Sequence, residues 1–381
     1  MGDRGSTVRE KAGDPEEVPA GRIQSVDGLR TLMCTGIMLY HFIPYFFVGA
    51  DWESVISRYF SCFTDMFFVL SGLFVGRITS APASFAASRD WLVPRLGRIY
   101  PLHLVTLAIY VSILAVYVAG LTPLHDSDRY DVGSIIPHLT LTHAWGFGSP
   151  IAFNYPSWAI SAILLCYLVF LATARVLRGR AMLPVAVIAS FAVGSVAASY
   201  AGTTITGLQS EGLGALRALP SFFFGAWLAQ ARPRSISKAG GVVLMGVALV
   251  LAFGHPDPLT GVSRLAAVYL LVTAVIVVDR SRTPTPLTTT SLRALAKYSF
   301  GVYMLHSVVA TIFFRLILEN MLGYDLITLG DNNLMLSYFY LGCGLLLSFA
   351  AAAISLRTVE RIGAKAFAAT FARRTTSDLR T

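Results

Sequence analysis

The sequence predicts an all-α polytopic membrane protein, with about ten transmembrane helices and both termini in the cytoplasm. Three observations carry that expectation. Of the 381 residues, 55% are hydrophobic and only 13% charged, whereas about a quarter of a soluble domain's residues are charged. The apolar residues gather into runs of about twenty, the length at which a helix crosses a hydrocarbon core roughly 30 Å thick. The basic residues are also placed asymmetrically. With the N-terminus inside, 25 of the 30 Lys and Arg fall on the cytoplasmic side and 5 on the other, the bias that orients membrane proteins. An odd number of spans breaks this alternation. The formal charge of +9 and the pI near 9.5 therefore follow from topology, and no nucleic-acid partner is needed to explain them.

Residues 1–22 are polar, contain Gly and Pro, and lack an apolar face; they read as a disordered cytoplasmic tail. The first apolar run starts near Thr31, behind this tail, and is too long for the core of a cleavable leader, so no signal peptide is expected. Apolar segments follow near 29–48, 60–78, 99–119, 152–174, 182–200, 213–230, 240–254, 264–279, 298–318 and 334–356. In lipid each can satisfy its own backbone only as a helix. The transmembrane domain is placed at 23–356, and 357–381 as a basic cytoplasmic tail. Between the third and fourth segments lies a long outer stretch, 120–149, whose Ile135–Trp145 part is apolar but only half the length of a span. It reads as an interfacial or re-entrant piece lining a site. Cys34, Cys62, Cys166 and Cys343 all sit in apolar runs and read as packing residues, without disulfides or a metal.

Ionisable side chains at membrane depth are costly and mark function or a pairing partner. Arg30 opens the first helix and His41 lies well inside it. Eleven residues at about 100° and 1.5 Å each return to nearly the same face about 16 Å further on. One helix face thus offers a cation near the cytoplasm and an imidazole deep in the bilayer, placed to act as a base. This suits a long anionic cofactor with phosphates at the surface and its reactive end in the membrane. An entry arginine and a helix-bridging histidine fit the same spacing. Asp65, on the antiparallel second helix, falls at the depth of His41 and can orient that imidazole, or meet another partner. The adjacent Ser71 and Gly72 allow close helix approach. Arg95 and Arg98 form an RxxR pair able to clamp a phosphate or diphosphate bidentately, although every inside loop is basic. Trp158, Tyr303 and His306 face a substrate cavity or bridge helices. His138 and His143 are five apart, which is not a metal-ligand spacing on a helix, and His125 and His255 read as surface residues. No GxSxG, HExxH or phosphate-loop motif is present.

Taken together, the stretches VDGLR with Arg30 and His41 eleven apart, DMFFVLSGLF, PRLGRIYP, the Trp158 segment, LPSFFFGAWLA (219–229) and YSFGVYMLH (298–306) resemble the membrane-bound acyltransferase-3 family. That family contains bacterial O-acetyltransferases of surface polysaccharides and acyltransferases of macrolide sugars. The resemblance runs in family order from about residue 23 to 356. It implies an acyl-CoA donor on the cytoplasmic side, a hydroxyl acceptor that is often a sugar, and a place in the bacterial cytoplasmic membrane. By the same resemblance His41 is the essential catalytic histidine, and Arg30, Arg95 and Arg98 bind the acyl-CoA. One departure stands out. The family often carries Trp-Ser-Leu-x-x-Glu where this chain has Trp158 to Ile163, so the glutamate is replaced by Ile163, while Tyr167 keeps the aromatic position. The leading expectation is an O-acyltransferase with no metal, in which His41 acts with Asp65, Arg30, Arg95 and Arg98 hold the donor, and Trp158, Tyr303 and His306 meet the substrate. Its rivals are a proton-coupled transporter using His41, Asp65 and His306 as a relay, for which the sequence shows no matched repeats, and a catalytically silent homologue.

Overall fold

A computed structural model describes residues 23–377 except 49–51, 77–81, 83, 122–126, 177–181, 232, 234 and 256. The tail expected at 1–22 lies outside the described residues. Each of the ten apolar segments is helical, and no strand occurs among the described residues. The helices are α1 (Gln24–Phe42), α2 (Val55–Gly76), α3 (Phe85–Val118), α4 (Tyr155–Arg175), α5 (Met182–Tyr200), α6 (Gly214–Ala231), α7 (Lys238–Phe253), α8 (Gly261–Arg280), α9 (Thr290–Met321) and α10 (Leu334–Phe371).

Seven of them, α2 to α5 and α8 to α10, are long and apolar enough to cross a membrane. The other three fall short of the expected ten for identifiable reasons. Helix α1 carries Asp27, Arg30 and His41, α6 carries Arg217 and an internal Pro220, and α7 has only 16 residues. The charges of α1 and α6 are the ones used inside the protein, as described below. Helices α5 and α7 instead turn Ile188, Val193, Val242 and Val250 outward, as lipid-facing helices do.

The central packing is between α2 and α6. A methyl group added at Gly72 would fall on the Phe222 carbonyl oxygen, and one at Gly225 on the Val69 carbonyl oxygen. Only glycine lets the two backbones come this close, which is how small residues cement helices where lipid offers no hydrophobic drive. The helices framing the site are less regular. Helix α9 widens to π winding over Ala310–Met321, and α10 does so over Leu356–Glu360. The described part of the expected basic tail is helical, continuing to Ser377, with the ring of Phe367 6.0 Å from that of Tyr100.

The long outer stretch turns back along α3. The Tyr100 hydroxyl donates to the Leu139 carbonyl at 2.7 Å, and His103 Nε2 donates to the His138 carbonyl at 2.8 Å. His103 lies 15 residues before the end of α3, about 22 Å down the helix. Ser161 of α4 holds the same piece from the other side, donating to the Leu141 carbonyl at 2.7 Å and accepting from Ala144 N–H at 3.1 Å. Ile135–Trp145 is thus held against α3 and α4 by side-chain bonds from Tyr100, His103 and Ser161.

Candidate active site

Helix α1 is unbroken from Gln24 to Phe42, so Arg30 and His41 lie on one rod about 16 Å apart. Around Arg30, helices α1, α2, α3, α4 and α9 enclose a cavity of about 580 Å³, within the size range of small-molecule sites. Arg30, Arg95 and Arg98 all line it. Arg95 is set by Trp91 one turn earlier: its guanidinium stacks 3.7 Å from the centre of the indole and donates to the Trp91 carbonyl at 2.6 Å. Trp91 in turn stacks on Phe170 and meets the edge of Tyr167. Ile163 and Tyr167 also line the cavity, so the position where the family pattern has glutamate presents an apolar side chain to this space.

Tyr303 also lines the cavity. Its hydroxyl donates to the Pro156 carbonyl at 2.9 Å, and its ring lies 6.1 Å from that of His306, one turn along α9. His306 stacks on His41, with ring centres 5.3 Å apart and planes 25° from parallel. Tyr155, at the start of α4, leans on His41 at 4.6 Å. His306 is fully buried, and His41 is half-buried. Arg30, Arg95, Arg98 and Tyr303 therefore share one cavity, and His306 and His41 adjoin Tyr303 through successive ring contacts.

Asp65 is placed differently from its expected partnership with His41. Arg217 of α6 takes both of its oxygens, Nε donating to Oδ1 at 2.8 Å and Nη2 to Oδ2 at 2.9 Å. Arg217 Nη1 also donates to the Thr206 carbonyl and to Gln209 Oε1. The pair is enclosed, with 5% and 0% of the two side chains exposed. A buried carboxylate takes the strongest partner within reach, and a bidentate guanidinium outcompetes an imidazole. Trp158 belongs to this same region, with Arg217 over its ring at 5.5 Å and Phe68 against its edge. It packs behind the cavity wall that Ala159 and Ile160 line.

Arg129 and Tyr155 join the site without having been singled out in the sequence. Arg129 enters from the outer stretch, donating to the Tyr110 hydroxyl at 2.8 Å, the Phe153 carbonyl at 3.0 Å and Ser307 Oγ at 3.1 Å. Its guanidinium lies 4.9 Å from the Tyr155 ring centre, and Tyr155 in turn leans on His41. Burial works against its charge, but the surrounding Tyr110, Tyr155, Tyr45 and Tyr130 outweigh it and hold its pKa above the usual range. Phe153 adopts a left-handed φ of 51° to place its carbonyl there, a strain that persists only where neighbours over-determine it. Arg217 and Arg129 each had one available signal, an arginine on the side that positive charge otherwise avoids.

A second histidine cluster lies where the Ile135–Trp145 stretch meets α3. His138 and His143 stack at 3.8 Å, 8° from parallel, and His103 stacks 6.0 Å from His143. Ser157 Oγ donates to His143 Nε2 at 3.1 Å. Burial, and then the neighbouring histidines, push the pKa of His138 down to about 3 and that of His143 well below the usual imidazole range. Among the described residues no group of His, Cys, Asp or Glu is arranged to hold a metal ion.

Comparisons with known proteins identify the family. Residues 23–355 match the family model described as an acyltransferase domain (Acyl_transf_3). Among curated proteins, Acyltransferase MdmB of Streptomyces mycarofaciens is 26% identical over 330 residues, covering 80% of this chain and 82% of its own length. No solved structure matches.

Proposed function

Because the chain belongs to the acyltransferase-3 family, and so is an acyltransferase, we propose that it moves an acyl group, acetyl in our reading, from acyl-CoA to a hydroxyl of a carbohydrate or glycosylated metabolite. The observation that carries this reading is the cavity gathering Arg30, Arg95, Arg98 and Tyr303, with His306 and then His41 in ring contact beside Tyr303.

In this proposal the donor enters from the cytoplasmic side of the cell membrane. Arg95 and Arg98 hold its diphosphate as bidentate, charge-assisted donors, and Arg30 completes the cationic mouth. The pantetheine arm follows α1 for about 16 Å and brings the thioester to His41. The acceptor hydroxyl gives its proton to His41, and its oxygen bonds to the acyl carbon. The carbon–sulfur bond breaks, and the departing thiolate takes the proton. Tyr303 and His306 wall the reacting end. Asp65 acts at one remove: its ion pair with Arg217 ties α2 to α6 and, with Trp158 packed beside it, fixes the wall against which the acyl group lies.

The purified full-length chain, given radiolabelled acetyl-CoA and a panel of methyl glycosides, should release CoA and form labelled ester. His41→Ala should reduce both to background while still inserting into membranes. Turnover at the wild-type rate in that variant would refute the catalytic assignment. Label crossing a vesicle wall without CoA release would refute acyl transfer in favour of transport.

A further inference from the structure

His306 carries a feature that a purely structural histidine does not need. Its Nδ1 lies 3.2 Å from the carbonyl oxygen of Val302, one turn earlier on α9. A carbonyl can only accept, so Nδ1 must hold the proton. A neutral imidazole has a single N–H, so Nε2 is then a bare lone pair. That Nε2 is buried and has no hydrogen-bond partner. Buried acceptors are almost always satisfied, and an exception calls for a use.

The neighbours indicate the use. His41 is the imidazole beside it, at 5.3 Å between ring centres, and among the described residues neither nitrogen of His41 has a hydrogen bond. Tyr40 and Tyr155 meet His41 as rings, at 4.7 and 4.6 Å. Asp65, which could have oriented His41, is committed to Arg217. A base needs a second group to fix which of its nitrogens is bare, and the carboxylate of a serine-type triad does this for its histidine.

We infer that His306 is the positioning partner of His41: its Nε2 accepts the N–H of His41 when the ring of His41 turns toward it, and so presents the other His41 nitrogen, unprotonated, to the acceptor hydroxyl. The inference rests on the acyl transfer proposed above. In that reaction His41 gains the acceptor's proton and becomes an imidazolium, whose original N–H stays shared with His306 Nε2. When the thiolate departs it removes the transferred proton, and both rings return to their starting tautomers. The backbone bond to Val302 prevents His306 from offering an N–H at Nε2, so the pair has one sense only.

Two variants test this in the full-length chain with acetyl-CoA and the methyl glycosides as probes. His306→Phe keeps the ring and removes the lone pair. It should lower kcat by about 100-fold, less than loss of a charged triad partner costs, and leave KM for acetyl-CoA within about twofold. His306→Gln, whose amide oxygen can accept in place of Nε2, should recover kcat to within about tenfold of wild type. A His306→Phe chain with normal kcat overturns the inference, as does a rise in KM at unchanged kcat, which is the pattern of a substrate contact. Equal loss in the Phe and Gln variants also overturns it, since that pattern marks packing. His41→Ala separates the two readings. If it is inactive while His306→Phe is normal, only the pairing fails. If His41→Ala is active, or wild type releases no CoA, the underlying proposal fails and the pairing falls with it.

Discussion

Asp65→Asn keeps the shape of the buried side chain and removes its charge. In the wild type, two parallel hydrogen bonds of 2.8 and 2.9 Å join Asp65 to Arg217, with almost none of either side chain exposed. The asparagine keeps one acceptor oxygen but turns an amide NH2 toward a guanidinium that has nowhere else to discharge. Removing one partner of a buried pair costs roughly 3–5 kcal/mol, because the other charge is left uncompensated. The retained oxygen and the Arg217 bonds to Thr206 and Gln209 favour the lower end, about 3 kcal/mol, or roughly a hundredfold in the folding equilibrium. At about 1.3 °C per kcal/mol for a chain of this size, melting in detergent should fall by roughly 4 °C. The monodisperse peak remaining after a heating series reads this out. The double variant Asp65→Leu with Arg217→Met should recover at least half of the loss, since apolar replacement of a whole buried pair is often neutral, and the resulting cycle measures the coupling. An Asp65→Asn chain that melts like wild type yet has lost turnover refutes this reasoning and returns the carboxylate to the chemistry. Strictly additive single losses refute the pairing.

Two further outcomes follow from the cavity and from the second histidine cluster. Arg95→Ala and Arg98→Ala should each raise KM for acetyl-CoA by about tenfold or more, the loss of one charge-assisted phosphate contact, with a smaller change in kcat; unchanged donor KM in both removes the diphosphate assignment. His138 and His143 have folded-state pKa values below those of the unfolded chain. Their neutral forms therefore contribute stability that is fully present above about pH 6.5 and is lost as pH falls toward 3, by up to about 1.4 kcal/mol per pH unit for each. Melting temperatures measured from pH 8 to pH 4 should be flat and then fall, and a flat profile throughout contradicts the burial of these two rings as neutral groups.

Much of this architecture is legible in the sequence because lipid leaves the chain few options. Apolar runs must be helices, and the helical repeat alone puts Arg30 and His41 on one face. The gathering of Arg30, Arg95 and Arg98 could be anticipated from their common side of the membrane. The partner of Asp65 could not. Hydropathy says that a charge at depth needs a partner, but it carries no information on which helices are neighbours, and Arg217 is 152 residues away. For the same reason the sequence leaves the contact of His306 with His41 unassigned, and Arg129 looks like one more loop charge. The π winding of α9 has no local signature either. The Ile135–Trp145 stretch is readable as too short to span, but its place against α3 and α4 is set by Tyr100, His103 and Ser161, which hold it by side-chain bonds that no hydropathy profile contains.

The 152 residues between Asp65 and Arg217 also have a meaning in time. A chain emerging from the ribosome at about 5–20 residues per second brings α2 to the membrane roughly 8–30 s before α6 arrives. Throughout that interval the carboxylate of α2 has no guanidinium to meet, and the glycine face it will share with α6 is uncovered. The wall of the cavity that this pair ties together is therefore complete only once the middle of the chain has been made.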